Sequence, residues 1–148
     1  MPEPDLDRTV LVVAGVSLRA EQMDRTLAYR VADEIRQRLA VNVGWQPLVI
    51  SDVLYLNAEP LTRCPIISIG GPGVNKLSAV LFEELPSVLT IDHTLIIQME
   101  LDQEPRRCCI WGGDHDRTVD AVDLFCKMNY LDTFLAGVTG RTVDPRDE

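Results

Sequence analysis

The chain is predicted to be an α/β protein, a three-layer α/β/α sandwich around a mostly parallel sheet of about five strands with one antiparallel hairpin. Three observations predict it. Short β-branched runs such as "TVLVVAG" (9–15) and "CPIISIG" (64–70) alternate with segments of helical period, the pattern that produces crossovers and parallel strands. Six of the nine glycines, Gly15, Gly70, Gly71, Gly73, Gly112 and Gly113, directly follow predicted strands. Aromatics are only 5% of the chain, so the core must be built from Val, Ile and Leu.

Residues 1–8 read as a disordered lead-in, 9–137 as one domain and 138–148 as a polar tail. At 148 residues one domain can bury a sizeable core. The first strand, 9–15, ends in Gly, and Ser17 can cap the helix after it. From about Leu18 to Ala40, Leu27, Val31, Ile35 and Leu39 recur every four positions, with Met23 one turn earlier and charges between them. That is an amphipathic helix. "VNVGW" (41–45) is a loop and "PLVIS" (47–51) the second strand; Ser51 can cap a brief helix over "SDVLYLN". The third strand, 64–70, tolerates Pro65 only because it stands near the strand's start. After Gly73 the spacing of Val74, Leu77, Val80, Leu81 and Leu85 predicts a helix halted by Pro86. "LIIQMEL" (95–101) and "CCIW" (108–111) predict an antiparallel hairpin whose first strand lies near a sheet edge. Val119, Val122, Phe125 and Cys126, running on to Leu131 and Phe134, predict one long helix or two short ones.

The net charge of −9 argues against nucleic acid and anionic membranes, whose binding needs clustered Lys and Arg. No apolar stretch reaches the roughly 18–20 residues that span a bilayer. The opening "MPEPDLDR" lacks the basic and apolar regions of a secretory signal, so a cytoplasmic location is expected. Cys64, Cys108, Cys109 and Cys126 show no CxxC spacing and fall in apolar segments, where a thiol behaves as a small hydrophobe.

Ligands of open α/β sheets bind outside the carboxyl ends of the strands. "GGPGVNK" has the parts of an anion cradle there: Gly70, Gly71 and Gly73 for close backbone approach, a helix N-terminus, and Lys76 as counter-charge. It lacks the GK[ST] of a P-loop, and the plain alternative is a strand–helix corner capped by Asn75. "WGGDHDRT" (111–118) offers Asp114, His115 and Asp116 as metal ligands or an acid–base pair, or simply as helix caps and dipole partners beside Arg117 and Thr118. "IDHT" (91–94) supplies Asp92 and His93, the second histidine. The hairpin would bring it beside Gly112, so a His93/His115 cluster is conceivable. Ser17, Ser51 and Asp52 lie at other strand ends, and no GxSxG elbow surrounds either serine.

"IISIGGPGVNKLSAVLFEEL" (66–85) resembles a segment of the S-layer-like domains of archaeal surface proteins, where an apolar strand ends in GGP before a small residue, Asn and a helix. "CIWGGDHDRTVDAVDLF" (109–125) is similar to a later segment of that family. The resemblance implies that Gly70, Gly71, Pro72, Asn75, Gly112, Asp116 and Thr118 set shape, and it implies no catalytic residue.

The expected function is a non-catalytic binding or regulatory module for a small anionic metabolite. Its site would comprise Gly15, Ser17, Gly70, Gly71, Gly73, Asn75, Lys76, Gly112, Gly113 and Arg117. One alternative is a structural or assembly protein, dimerising through the edge strand 95–101. The other is a metal-assisted hydrolase using Asp92, His93, Asp114, His115 and Asp116. No cofactor is implied.

Overall fold

In a computed structural model the described residues are 6–39, 44–100 and 102–140, the side chains of 18–22 excepted. Six strands form one sheet: β1 (Thr9–Ala14), β2 (Gln46–Ser51), β3 (Ile66–Ile69), β4 (Ser87–Ile91), β5 (Leu95–Met99) and β6 (Arg107–Gly112). Their order is β2-β1-β3-β6-β5-β4. β2, β1, β3 and β6 run parallel, while β5 runs against both β6 and β4. Among the described residues there are also five α-helices: α1 (Leu18–Arg38), α2 (Asp52–Asn57), α3 (Lys76–Glu84), α4 (His115–Lys127) and α5 (Tyr130–Thr139). The last helical stretch is therefore two helices.

Side-chain alternation along each strand sorts the core into two layers. On one face Val10, Val12, Ile67, Ile69, Cys108 and Ile110 meet Ala28, Val31 and Ile35 of α1, with Phe125 of α4 and Phe134 of α5. On the other, Leu11, Val13, Ile66 and Cys109 meet Tyr55 of α2 and Leu77 and Leu81 of α3. Every residue of β1 is buried, and two covered faces are why its sequence is uniformly apolar. The sandwich is thus three-layered as the sequence predicts.

Three expectations are corrected. The lead-in is shorter: Leu6–Arg8 form a 3-10 turn, and Leu6 packs on the second core layer while its carbonyl accepts from Cys64 Sγ at 3.4 Å. The domain also continues past residue 137, because α5 runs to Thr139 and closes on Gly140 in the left-handed conformation. Third, strand 95–101 is no edge. β5 lies between β6 and β4, and the true edges are β4 and β2, which removes the basis for a dimer through 95–101. Residues 41–43 of the expected loop, Leu101 and the tail from 141 lie outside the described residues.

Candidate functional site

The parallel register sets the carboxyl ends of β1, β3 and β6 side by side, with Ala14 opposite Ile69 and Ile69 opposite Ile110. The loops beginning at Gly15, Gly70 and Gly112 therefore share one rim. β1 and β6 lead into α1 and α4 on one face of the sheet, whereas β3 leads into α3 on the other. Neighbouring connections that part to opposite faces leave a crevice between them, the usual ligand position in such sheets. Gly15 is buried and Ser17 exposed at this rim; neither lines the cavity described below.

The "GGPGVNK" loop folds as a closed corner. Gly70 takes φ 104°, a conformation side-chain-bearing residues rarely adopt, and its amide donates to Ile110 O at 3.0 Å. Asn75 caps α3: its Oδ1 accepts from the amides of Leu77 (2.9 Å) and Ser78 (3.1 Å). Its Nδ2 donates to Ile69 O (2.9 Å) and Val13 O (3.3 Å), so one buried side chain ties the helix start to two strand ends. Asp52, 1% exposed, accepts from the Lys76 amide at 2.7 Å and from the Val53 amide at 2.8 Å. The first three amides of α3 are thus held by protein side chains, one of them a carboxylate. The expected anion cradle is filled from within, and Lys76 is exposed outside the cavity lining.

The second loop is also built from caps. Asp114 Oδ1 accepts from the Arg117 amide at 2.8 Å. Gly112 donates to Thr118 Oγ1 at 3.0 Å, and Thr118 Oγ1 donates to Asp114 O at 3.1 Å. A Cβ on Gly112 would lie 2.3 Å from Arg117 Cβ and 2.6 Å from the Thr118 amide, so only glycine lets the first turn of α4 pack onto β6. The Gly113 amide donates to Thr94 O at 2.8 Å. Arg117 pairs with Asp120 at 3.0 Å on the surface, and Asp116 is exposed.

Asp92 and His93 are the two central residues of the β4–β5 turn. Both have positive φ, 51° and 59°, and Thr94 N donates to Ile91 O at 2.9 Å, the type I′ geometry of a two-residue hairpin. The turn does reach the same rim, beside Gly113, but both side chains are exposed. Among the described residues no three His, Cys, Asp or Glu side chains gather to hold a metal ion. The metal set Asp92, His93, Asp114, His115 and Asp116 does not assemble.

What the rim does hold is a cavity of about 290 Å³ between the two glycine loops and α1. Gly71, Pro72, Gly73 and Val74 form one wall, Trp111 through His115 with Thr118 another, and Met23 and Asp24 the third. Asp24 is 6% exposed, and its Oδ1 lies 3.4 Å from His115 Nδ1. In that contact a carboxylate can only accept, which favours the His115 tautomer bearing its proton on Nδ1. The Asp24 carboxylate also fits the space left by the missing side chain of Gly70, where a Cβ would lie 2.7 Å from Oδ2. The Trp111 ring backs Gly71 and meets Phe82 edge-to-face at 5.6 Å.

Sequence reasoning missed Asp24 and Trp111. The stripe it drew through Met23, Leu27 and Val31 is offset at its start, since Met23 is 40% exposed and the buried positions run Asp24, Leu27, Ala28, Val31. An acidic residue on an apolar stripe was the available signal.

The thiols have no part in the site. All four are buried and unpaired. Burial pushes Cys109 and Cys126 up to about 11, and Cys108 well above its ordinary value, so they stay protonated and poorly nucleophilic. No protein-family model matches the chain, and no curated protein matches it in sequence.

Proposed function

We propose that this chain is a binding module that holds one small molecule at the crevice between the β3–α3 and β6–α4 loops. The carrying observation is the cavity itself: about 290 Å³ at the strand-end crevice, walled by glycine loops, with the buried Asp24 and the half-buried His115 converging on it. The reading assigns binding and no reaction. Cytoplasmic residence belongs to the same proposal, supported by four unpaired thiols; among the described residues no helix is long and apolar enough to cross a membrane. The likeness to S-layer-like domains is carried forward as a proposal about loop shape alone, supported by the caps of Asn75 and Thr118 and the close approach at Gly112.

Thermal-shift screening of the full chain against small charged and neutral molecules tests the reading. A ligand at 100-fold over its Kd adds about 2.7 kcal/mol to stability, several degrees for a domain of this size. Gly73→Tyr is the matched control: Gly73 lines the cavity and nothing lies within 4 Å of a Cβ there. The variant should fold and lose the shift. If no compound raises the melting temperature, or if the variant responds like the parent, the binding reading fails and a purely structural role replaces it.

A further inference from the structure

We propose that the outer face of α2 and α3 is the interface of a two-fold dimer, in which α3 packs antiparallel on α3 of a second copy of this chain. None of the residues it uses lines the cavity, so it stands independently of the binding reading. α3 buries Leu77, Ser78 and Leu81 against the sheet. That turns Lys76, Ala79, Val80 and Glu83 outward at i, i+3, i+4 and i+7, and all four are exposed. α2 starts beside it, tied by the bond from the Lys76 amide to Asp52. It buries Asp52 and Tyr55 and leaves Val53, Leu54 and Leu56 exposed. With Val80 and Phe82, these two short helices carry five of the ten exposed large apolar side chains among the described residues. Exposure grouped in that way marks an interaction surface.

The charges identify the occupant. A lone helix is favoured by acidic residues in its first turn and basic ones in its last. α3 has the reverse: Lys76 opens it, Glu83 and Glu84 close it, and no acidic residue stands in its first turn or basic one in its last. Glu84 is answered within the chain by Arg107 at 2.7 Å. The outward stripe of Lys76, Ala79, Val80 and Glu83 is complementary to its own reversal. The midpoint of Lys76 and Glu83 falls between Ala79 and Val80. A two-fold axis there sets Lys76 against Glu83 of the partner subunit, and Ala79 against Val80 of the partner subunit, each contact occurring twice. Each Lys76 then lies at the C-terminal end of the facing helix and each Glu83 at its N-terminal end, where the macrodipole favours them. The charge placement that a solitary α3 would not choose is the one an antiparallel pair needs.

Sedimentation equilibrium of the full chain at micromolar concentrations provides the test, and a dimer is expected. Lys76→Glu or Glu83→Lys alone sets like charges together at both ends of the helix pair and should raise the dimer dissociation constant at least about tenfold. The double exchange, Lys76→Glu with Glu83→Lys, restores opposite charges and should restore association. Both positions are exposed and both reversals suit the dipole of α3, so neither should unfold the chain, which circular dichroism checks. Val80→Asp, at the centre of the contact, should also leave a folded monomer. A monomer throughout the concentration range overturns the proposal. So does a dimer that the single reversals leave intact, as one built on the edge strand β4 would be. A double exchange that stays as weak as either single variant refutes the antiparallel pairing.

Discussion

Asn75 shows how much one side chain can carry. It donates to two strand carbonyls and accepts from two helix amides while fully buried. Asn75→Ala leaves those groups without partners in a dry interior, and we expect a loss of about 3 kcal/mol in urea denaturation. Gly70→Ala should cost roughly 2–4 kcal/mol, because the new Cβ meets both a positive φ and the Asp24 carboxylate. Gly73→Ala, three residues on, should be nearly neutral, since its Cβ meets nothing within 4 Å. Equal losses at the two glycines would refute this account of the loop. The Asn75 cap was legible as a polar residue just before a periodic stretch. Asp24 was hidden because the helix period admits two neighbouring stripes, and the one through Met23 looked more apolar.

Among the elements, β4 is the one the sequence concealed. "SVLTI" follows a helix-ending Pro86, and its turn is Asp-His rather than the Asn-Gly or Asp-Gly that marks a type I′ hairpin. The left-handed pair therefore read as a candidate site. Replacing Asp92–His93 by Asn-Gly should stabilise the protein by about 0.5–1 kcal/mol, since both positions then hold residues suited to positive φ. An unchanged or lowered denaturation midpoint would argue that these side chains make contacts the turn geometry does not explain. The other five strands and α1 were legible because their periods are strong; the sheet order was not, since pairing is decided by contacts distant in sequence. α5 is held by Arg38 of α1, which donates to Asp132 (2.8 Å), Glu34 (2.9 Å) and the Cys126 carbonyl (2.8 Å).

For the whole molecule, the buried thiols set an alkaline limit. In the unfolded chain they ionise near 9, whereas folding holds Cys109 and Cys126 protonated up to about 11. Above pH 9 the folded state therefore binds more protons, and stability should fall as pH rises from about 9 to 11. The contribution of Cys109 alone is roughly 2–3 kcal/mol. Denaturant midpoints across that range should shift less in Cys109→Ala, once corrected for its own destabilisation; identical slopes would refute the assignment. At neutral pH the thiols should resist alkylation until denaturant is added. That the fold would be a three-layer sandwich was legible from alternation and glycine placement. Which amides of its crevice the caps occupy was not, because that is set by side chains brought in from other elements.

The reversed direction of β5 divides the molecule's surface for an engineer. It returns residues 92–94 to the cavity rim and sends the 102–106 connection to the far end of the sheet. A tag or reporter inserted after Gln103 would dangle clear of the crevice, whereas the same graft at Asp92 would overhang its mouth.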